Sequence, residues 1–254
     1  MRKIIIGISV LLIMTGCMQD GQEETYEAST SKGVESGMKS KEQIEIKEKE
    51  KVTEDGKVIV HNPHAIDVVV NKERRLPEGY EPKNLIEPNV PFRAPEGHQK
   101  RNMREEAAQA LEELFQAAEN SGYTLVAQSG YRSVERQASI YNNNIATKGQ
   151  EWTDQYSAAP GHSEHNTGLA MDITIPLEAG GFLGLEEALG DTEPGQWVAE
   201  NAHKYGFVIR YPEGKSDITG YNYEPWHLRY FGKELATKIY ESGLTVEEYF
   251  GYVN

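Results

Sequence analysis

The stretch PGHSEHNTGLAMD, residues 160–172, holds the densest group of reactive side chains in the sequence. Residues 170–175 alternate in the manner that is typical of a β-strand, and Asp172 lies within this predicted strand. His165 precedes it in the same stretch. The stretch therefore places a histidine and a strand carboxylate close together in the sequence, a combination that occurs in metal sites.

A second motif, EPWH at residues 224–227, supplies what the first lacks. A hydrolytic zinc site needs about three nitrogen or oxygen ligands and an open position for water. It also needs a nearby carboxylate that takes the proton from that water. His165, Asp172 and His227 can supply the ligands, and Glu224 can supply the base. Together the two motifs predict a hydrolytic metal site.

Three patterns resemble the VanY-type D-alanyl-D-alanine carboxypeptidases. They are S-x-H-x-x-G-x-A-x-D at residues 163–172, E-x-x-H at residues 224–227 and SGYRS at residues 129–133. The family belongs to a wider zinc group that includes the D-Ala-D-Ala dipeptidases and the hedgehog N-terminal domain. The resemblance covers residues 66–254, and separated motifs with every metal and base position filled form a specific signal.

The resemblance implies a zinc cofactor and a role for six side chains. These are the zinc ligands His165, Asp172 and His227, the general base Glu224, and the substrate-handling residues Arg132 and Ser163. Arg132 can either polarise the scissile carbonyl or clamp the terminal carboxylate of the substrate, and both options stay open. Gln128, just before the same turn, is expected to line the substrate pocket. His162 is expected beside the metal site, not among its ligands.

The resemblance also implies a substrate class, peptidoglycan stem peptides that end in D-alanine. A D,D-carboxypeptidase cuts between the two D-alanines of a pentapeptide, whereas an L,D-carboxypeptidase removes D-alanine from a tetrapeptide. The sequence leaves both open. Two alternatives are a non-catalytic module that binds metal or cell wall, and an endopeptidase that cuts cross-bridges. Glu224 counts against the module, because a protein without catalysis is free to lose its base.

The first seventeen residues predict a lipoprotein signal peptide. A short basic start is followed by the apolar run 4–14 and then by Thr15, Gly16 and Cys17. This arrangement resembles a bacterial lipobox, although Met14 stands where leucine is commoner. We therefore expect a lipid on Cys17 that anchors the protein to the outer face of the cell membrane, facing the cell wall.

Composition divides the rest of the chain into two parts. Residues 18–57 are rich in Glu, Lys, Ser and Gly and predict a disordered, charged tether. Residues 58–254 are expected to form the VanY-like zinc carboxypeptidase domain. Its predicted strands and helices alternate without a regular βαβ order, which favours the α+β class. We expect a single domain with a central antiparallel sheet flanked by helices and a zinc site in a surface cleft.

The predicted elements are spread over this domain. Strands are predicted at 66–70, 123–128, 170–175, 207–211 and 226–231, and helices at 100–121, 133–147, 194–205, 233–242 and 245–252.

The overall composition excludes other classes of function. Among 254 residues, 26 are Lys or Arg and 40 are Asp or Glu, which gives a formal net charge of −14. A nucleic-acid-binding protein needs a basic face, so no nucleic acid is expected as a partner. The single cysteine excludes an intrachain disulfide and a cysteine-rich zinc site. We expect the domain to act as a monomer.

Overall fold

The candidate metal ligands lie on a four-stranded sheet. In the computed structural model, which describes residues 50–253, this sheet has the strand order β6-β7-β9-β8, and all of its pairs are antiparallel. The strands of this part of the chain are β1 (Lys51–Val52), β2 (Val58–Ile59), β3 (Arg74–Arg75), β4 (Leu85–Ile86), β5 (Met103–Arg104), β6 (Val126–Ser129), β7 (Ala170–Thr174), β8 (Phe207–Ile209) and β9 (His227–Tyr230). The sheet and its flanking helices confirm the predicted α+β class.

Helices cover the sheet and support the site. The α-helices of the described residues are α1 (Glu105–Asn120), α2 (Val134–Lys148), α3 (Gln150–Tyr156), α4 (Glu193–Asn201), α5 (Ser216–Thr219), α6 (Lys233–Ser242) and α7 (Val246–Phe250). Apolar side chains of α1, β7, β8 and β9 share one buried cluster, which includes Leu111, Leu114, Met171, Phe207 and Leu228. Burial of these side chains provides the main driving force that holds α1 against the sheet.

The predicted helix 100–121 begins later than expected. Met103–Arg104 forms β5 and pairs with Leu85–Ile86, so α1 starts only at Glu105. Gln99–Arg101 forms a separate 3-10 helix. The apolar periodicity of the sequence continues through this region, but long-range strand pairing takes Met103 out of the helix.

The predicted strand 66–70 is absent from this segment. The backbone of residues 66–70 makes no strand ladder, although Val68, Val69 and Val70 are buried. Its carbonyls accept hydrogen bonds from arginine side chains instead: Arg229 Nη2 bonds the oxygens of Ile66 and Val68, and Arg74 Nε bonds that of Val69. Arginine side chains thus satisfy three carbonyls of the β-branched run, while the Val68 N–H donates to the Ala65 carbonyl.

Helix α2 follows its prediction closely. Ser133 caps it, because its hydroxyl accepts a hydrogen bond from the Arg136 N–H at 3.1 Å. Gln137 is its one buried residue. Helix α3, which the sequence pattern does not predict, follows directly after Gly149. The predicted helix 233–242 has the bounds of α6, and the predicted helix 194–205 consists of α4 and the 3-10 helix Ala202–Tyr205. The other predicted elements differ from the observed ones by a few residues at their ends.

The ordered fold includes part of the predicted tether. Strand β1, within the predicted tether 18–57, pairs with β2, and Lys57 bridges to Glu73 at 2.9 Å. The predicted signal peptide 1–17 and the tether up to residue 49 lie outside the described residues. Between residues 50 and 253, no helix combines the length and the apolar character of a membrane span.

Candidate metal centre and active site

Three side chains from separate parts of the sequence meet on the sheet. Asp172 on β7 and His227 on β9 are direct partners in antiparallel register. His165 lies just before β7, in the 3-10 helix Glu164–Thr167. One ligand atom from each of the three lies within 4.8 Å of the others, and all three side chains are buried. The structure thus brings together the three ligands that the sequence predicts.

The turn from the 3-10 helix into β7 depends on a glycine. Gly168 adopts φ 72°, in the left-handed region that favours glycine. A Cβ at this position would lie 3.0 Å from Leu85 Cδ2 and 3.2 Å from Arg104 Cγ. Gly168 therefore permits the tight reversal that brings His165 back over the strand carrying Asp172.

Hydrogen bonds orient both histidine rings. His165 Nδ1 donates to the Gly130 carbonyl oxygen at 2.9 Å, and its Nε2 faces Asp172 Oδ2 at 3.3 Å. His227 Nε2 lies 3.2 Å from Glu164 Oε2, and its Nδ1 lies 2.9 Å from Asp172 Oδ1. Each ring thus has one nitrogen held by a partner outside the triad and turns the other towards Asp172. Metal-binding histidines are oriented in this way.

The donor set fits a zinc ion. Two imidazole nitrogens and a carboxylate oxygen match the three protein ligands of a catalytic zinc site. Burial lowers the pKa of His165, which favours the neutral ring that a ligand needs. Burial opposes the charged form of His227, but hydrogen bonds to Asp172 and Glu164 raise its pKa to about 10. The carboxylates around His227 thus stabilise positive charge at this place.

Glu224 lies beside the triad, before β9. Its Oε2 is 4.0 Å from His227 Nδ1, and a quarter of its side chain is exposed. Its backbone N–H donates to the Tyr211 carbonyl at 3.0 Å, which fixes the approach to the strand. Burial raises the pKa of Glu224 to about 7, and the nearby carboxylates of Asp172 and Glu164 act in the same direction. A carboxyl group with this pKa can accept a proton and return it near neutral pH.

Arg132 lies in the turn between β6 and α2. Its backbone N–H donates to the His165 carbonyl at 3.1 Å, and its carbonyl accepts from Asn166 Nδ2 at 2.6 Å. Its Nη1 donates to Gln137 Oε1 at 2.8 Å, while its Nε is buried without a hydrogen-bond partner among the described residues. The backbone of Arg132 is therefore tied to the 3-10 helix that carries His165, and its guanidinium keeps a free donor.

Gln137 holds Arg132, and the sequence alone does not indicate this role. It is 1% exposed, and its Nε2 donates to the Ala158 carbonyl at 2.6 Å. The one signal in the sequence is its position a little more than one helical turn after Arg132, which is too general to single it out.

The other predicted site residues occupy different surroundings. Ser163 is buried directly before the 3-10 helix that carries His165. Gln128 on β6 accepts a hydrogen bond from Arg93 Nη1 at 2.8 Å, and this arginine lies over the ring of Phe182. His162 Nδ1 donates to the Asn71 carbonyl at 2.7 Å. The predicted substrate roles of Ser163 and Gln128 stay predictions.

A buried ionic network behind His227 was not predicted. Glu164 Oε1 accepts from Arg210 Nε at 2.8 Å and from Arg229 Nη1 at 2.9 Å. Arg210 also pairs with Glu247. Burial alone would raise the pKa of Glu164, but the two arginines and His227 hold it well below its ordinary value. Each member looks in the sequence like an ordinary surface charge, so composition and spacing gave no indication of the network.

Comparisons with a family model and with known proteins both find carboxypeptidases. A family model described as "VanY: D-alanyl-D-alanine carboxypeptidase" matches residues 100–233. The "Putative carboxypeptidase YodJ" of Bacillus subtilis (strain 168) is 52% identical over 196 residues, which cover 77% of this chain and 71% of that protein.

Two solved structures are similar over most of their length. The LdcB LD-carboxypeptidase is 48% identical with a TM-score of 0.75, and the match covers 81% of this chain and 95% of that one. A variant of the D,D-pentapeptidase VanY from a VanB-type resistance cassette, in complex with Zn(II), is 34% identical with a TM-score of 0.57, covering 72% and 97%.

Proposed function

This chain belongs to the VanY D-alanyl-D-alanine carboxypeptidase family and is a peptidoglycan carboxypeptidase, and we propose that it removes D-alanine from stem tetrapeptides with a zinc ion. The observation that carries the proposal is the convergence of His165, Asp172 and His227 beside Glu224 and Arg132. A binding module has no use for a partly buried carboxyl group poised beside the ligands.

Similarity favours L,D over D,D activity. The chain is 48% identical to LdcB, whose TM-score is 0.75, but 34% identical to the VanY D,D-pentapeptidase, whose TM-score is 0.57. We therefore propose the tetrapeptide as the substrate and its terminal D-alanine as the product.

The proposed cofactor is zinc, held by His165, Asp172 and His227. When bound, zinc lowers the pKa of a coordinated water molecule and stabilises negative charge on the scissile carbonyl oxygen. Glu224 accepts a proton from the attacking water and passes it to the amine of the departing D-alanine as the C–N bond breaks. Arg132 binds the scissile carbonyl or the terminal carboxylate through its free donors.

Ser163 and Gln128 are proposed to contact the substrate. Ser163 lies two positions before the candidate ligand His165, in the segment that enters the 3-10 helix Glu164–Thr167. Gln128 follows the buried strand residue Ala127, and its link to Arg93 leaves its amide donors for a peptide.

Peptidoglycan lies outside the cytoplasmic membrane, so the enzyme acts there. We further propose that Cys17 carries the lipid anchor, that residues 18–49 extend the catalytic domain from the membrane towards the wall, and that the protein acts as a monomer.

Muropeptide digestion tests the proposal. The zinc-loaded protein is incubated separately with purified tetra- and pentapeptide muropeptides, and products are identified by mass. Loss of one alanine from the tetrapeptide is the expected result. Loss from the pentapeptide alone would establish D,D activity instead, and cleavage of cross-linked dimers would indicate an endopeptidase.

A matched variant separates enzyme from contaminant. Glu224→Gln keeps the size of the side chain but removes the proton acceptor, so the rate of product formation in the same digestion should fall by about 10²- to 10⁴-fold. Activity near the wild-type level would contradict the assigned base. If wild-type protein binds zinc and releases nothing from any muropeptide, the binding-module alternative is favoured.

A further inference from the structure

Glu164 connects the metal centre to a second buried carboxylate far along the chain. Its side chain is 0% exposed. One oxygen, Oε2, lies 3.2 Å from His227 Nε2, and the other, Oε1, is shared by Arg210 Nε at 2.8 Å and Arg229 Nη1 at 2.9 Å. Glu164 is therefore held from one side and holds His227 on the other.

Glu247 on α7 completes the network. Arg210 Nη1 donates to Glu247 Oε2 at 2.9 Å and Nη2 to its other oxygen, which is the two-pronged pairing that arginine favours. Asn71 Nδ2 donates to Glu247 Oε1 at 3.0 Å. The side chain of Glu247 is 2% exposed. Helix α7 carries no candidate metal ligand, but Glu247 on it is linked through Arg210 and then Glu164 to the candidate ligand His227.

Arg229 fixes Glu164 from another direction. Its Nη2 donates to the carbonyls of Ile66 and Val68 at 2.8 Å and 2.6 Å. The two arginines are both fully buried and balance the charges of the two glutamates. With both arginines bound elsewhere as well, the carboxylate of Glu164 has little freedom to move relative to His227.

Stability alone does not account for this arrangement. Desolvation of buried ions offsets much of their attraction, so apolar residues in their place often give equal or greater stability. Orientation of a ligand does account for it. A partner that holds one imidazole nitrogen determines where the other points, and here Nδ1 points to Asp172.

We propose that Glu164 is a positioning residue that aims His227 Nδ1 at the metal, and that Glu247 maintains this aim through Arg210. The inference rests on the proposed zinc function. According to this proposal, α7 contributes to metal affinity without contacting the metal.

Three glutamate-to-glutamine variants test the proposal in the full chain. E164Q and E247Q weaken the network, and E50Q is the matched control, since Glu50 pairs with the buried Arg74 and its side chain is 6% exposed. Zinc affinity is measured by competition with a chromogenic chelator. Absorption spectra of the cobalt-substituted proteins report ligand geometry, and melting in EDTA reports stability without metal.

The expected result is graded. E164Q should bind zinc about 10- to 100-fold more weakly than wild type, with an altered cobalt spectrum. E247Q should weaken binding by about 2- to 30-fold. E50Q should keep the wild-type affinity and spectrum. At saturating zinc, E164Q should lower kcat more than it changes KM.

Three outcomes would overturn the inference or its premise. If E164Q and E247Q lower the melting temperature in EDTA but keep the affinity of E50Q, the network is structural only. If E164Q alone weakens binding, Glu247 has no part in positioning. If wild type itself does not bind zinc, the proposed function fails instead. Should E164Q not fold, E164D, which keeps the charge but shortens the reach to His227, should show the same loss of affinity.

Discussion

Gly130 offers a sharp test of how the site is assembled. Its carbonyl accepts the hydrogen bond from His165 Nδ1 at 2.9 Å. A methyl group on this residue would lie 2.5 Å from the Asn102 carbonyl oxygen, 2.8 Å from Met171 Cε and 3.1 Å from the Lys100 carbonyl oxygen. The two carbonyls cannot easily retreat, because they accept 2.7 Å hydrogen bonds from the backbone of residues 130 and 131.

Gly130→Ala should therefore reduce both stability and metal binding. Overpacking of a buried position costs about 1–3 kcal/mol. In a domain of this size, each kcal/mol lowers the melting temperature by about 2–4 °C, so we expect a fall of about 2–12 °C. Displacement of the carbonyl loosens His165, which should weaken zinc binding by about 10- to 100-fold. Differential scanning calorimetry and chelator competition measure the two effects.

The control variant separates these two effects. Gly122 has φ +87°, and a methyl group added to it would have no atom within 4 Å, so Gly122→Ala introduces backbone strain without a clash. It should cost about 1–2 kcal/mol and leave zinc affinity unchanged. Equal zinc affinities for the two alanine variants would refute the reasoning, because the Gly130 carbonyl would then have no part in holding His165.

Three further substitutions test a metal ligand, the general base and the core separately. His227→Ala should remove most zinc binding, as measured by metal content after dialysis; a protein that retains stoichiometric zinc would argue against the triad. Glu224→Gln should keep the wild-type zinc affinity while hydrolysis falls by about 10²- to 10⁴-fold, and a parallel loss of metal would show that Glu224 is a ligand. Leu228→Ala, at a fully buried position, should cost about 2–5 kcal/mol in urea unfolding, and a loss below about 1 kcal/mol would contradict its place in the core.

The sequence predicted the convergence of the site better than its surroundings. Two short motifs were enough to name His165, Asp172 and His227, because each motif is local in sequence and its strand alternation follows local rules. The α+β class and the helix capped by Ser133 were predicted for the same reason. The register that sets Asp172 opposite His227 joins distant strands, and only the fold shows it. The roles of His165, Asp172 and His227 as metal ligands stay a prediction until metal binding is measured.

Long-range contacts explain what was missed. Residues 66–70 have the composition of a strand, but their carbonyls bond Arg229 and Arg74, which lie elsewhere in the chain. Glu164 occupies an unspecified position (x) of the S-x-H motif, and only the fold shows that Arg210 pairs with it. Local pattern carries no information about such partners, since they depend on tertiary packing.

The register of Asp172 with His227 also makes metal binding a test of a completed fold. The two residues are 55 positions apart in the chain, and they meet only when β7 pairs with β9. A chain that has not paired these strands holds at most two of the three ligands together and cannot hold a metal ion tightly. Metal uptake thus reports that this part of the sheet has formed.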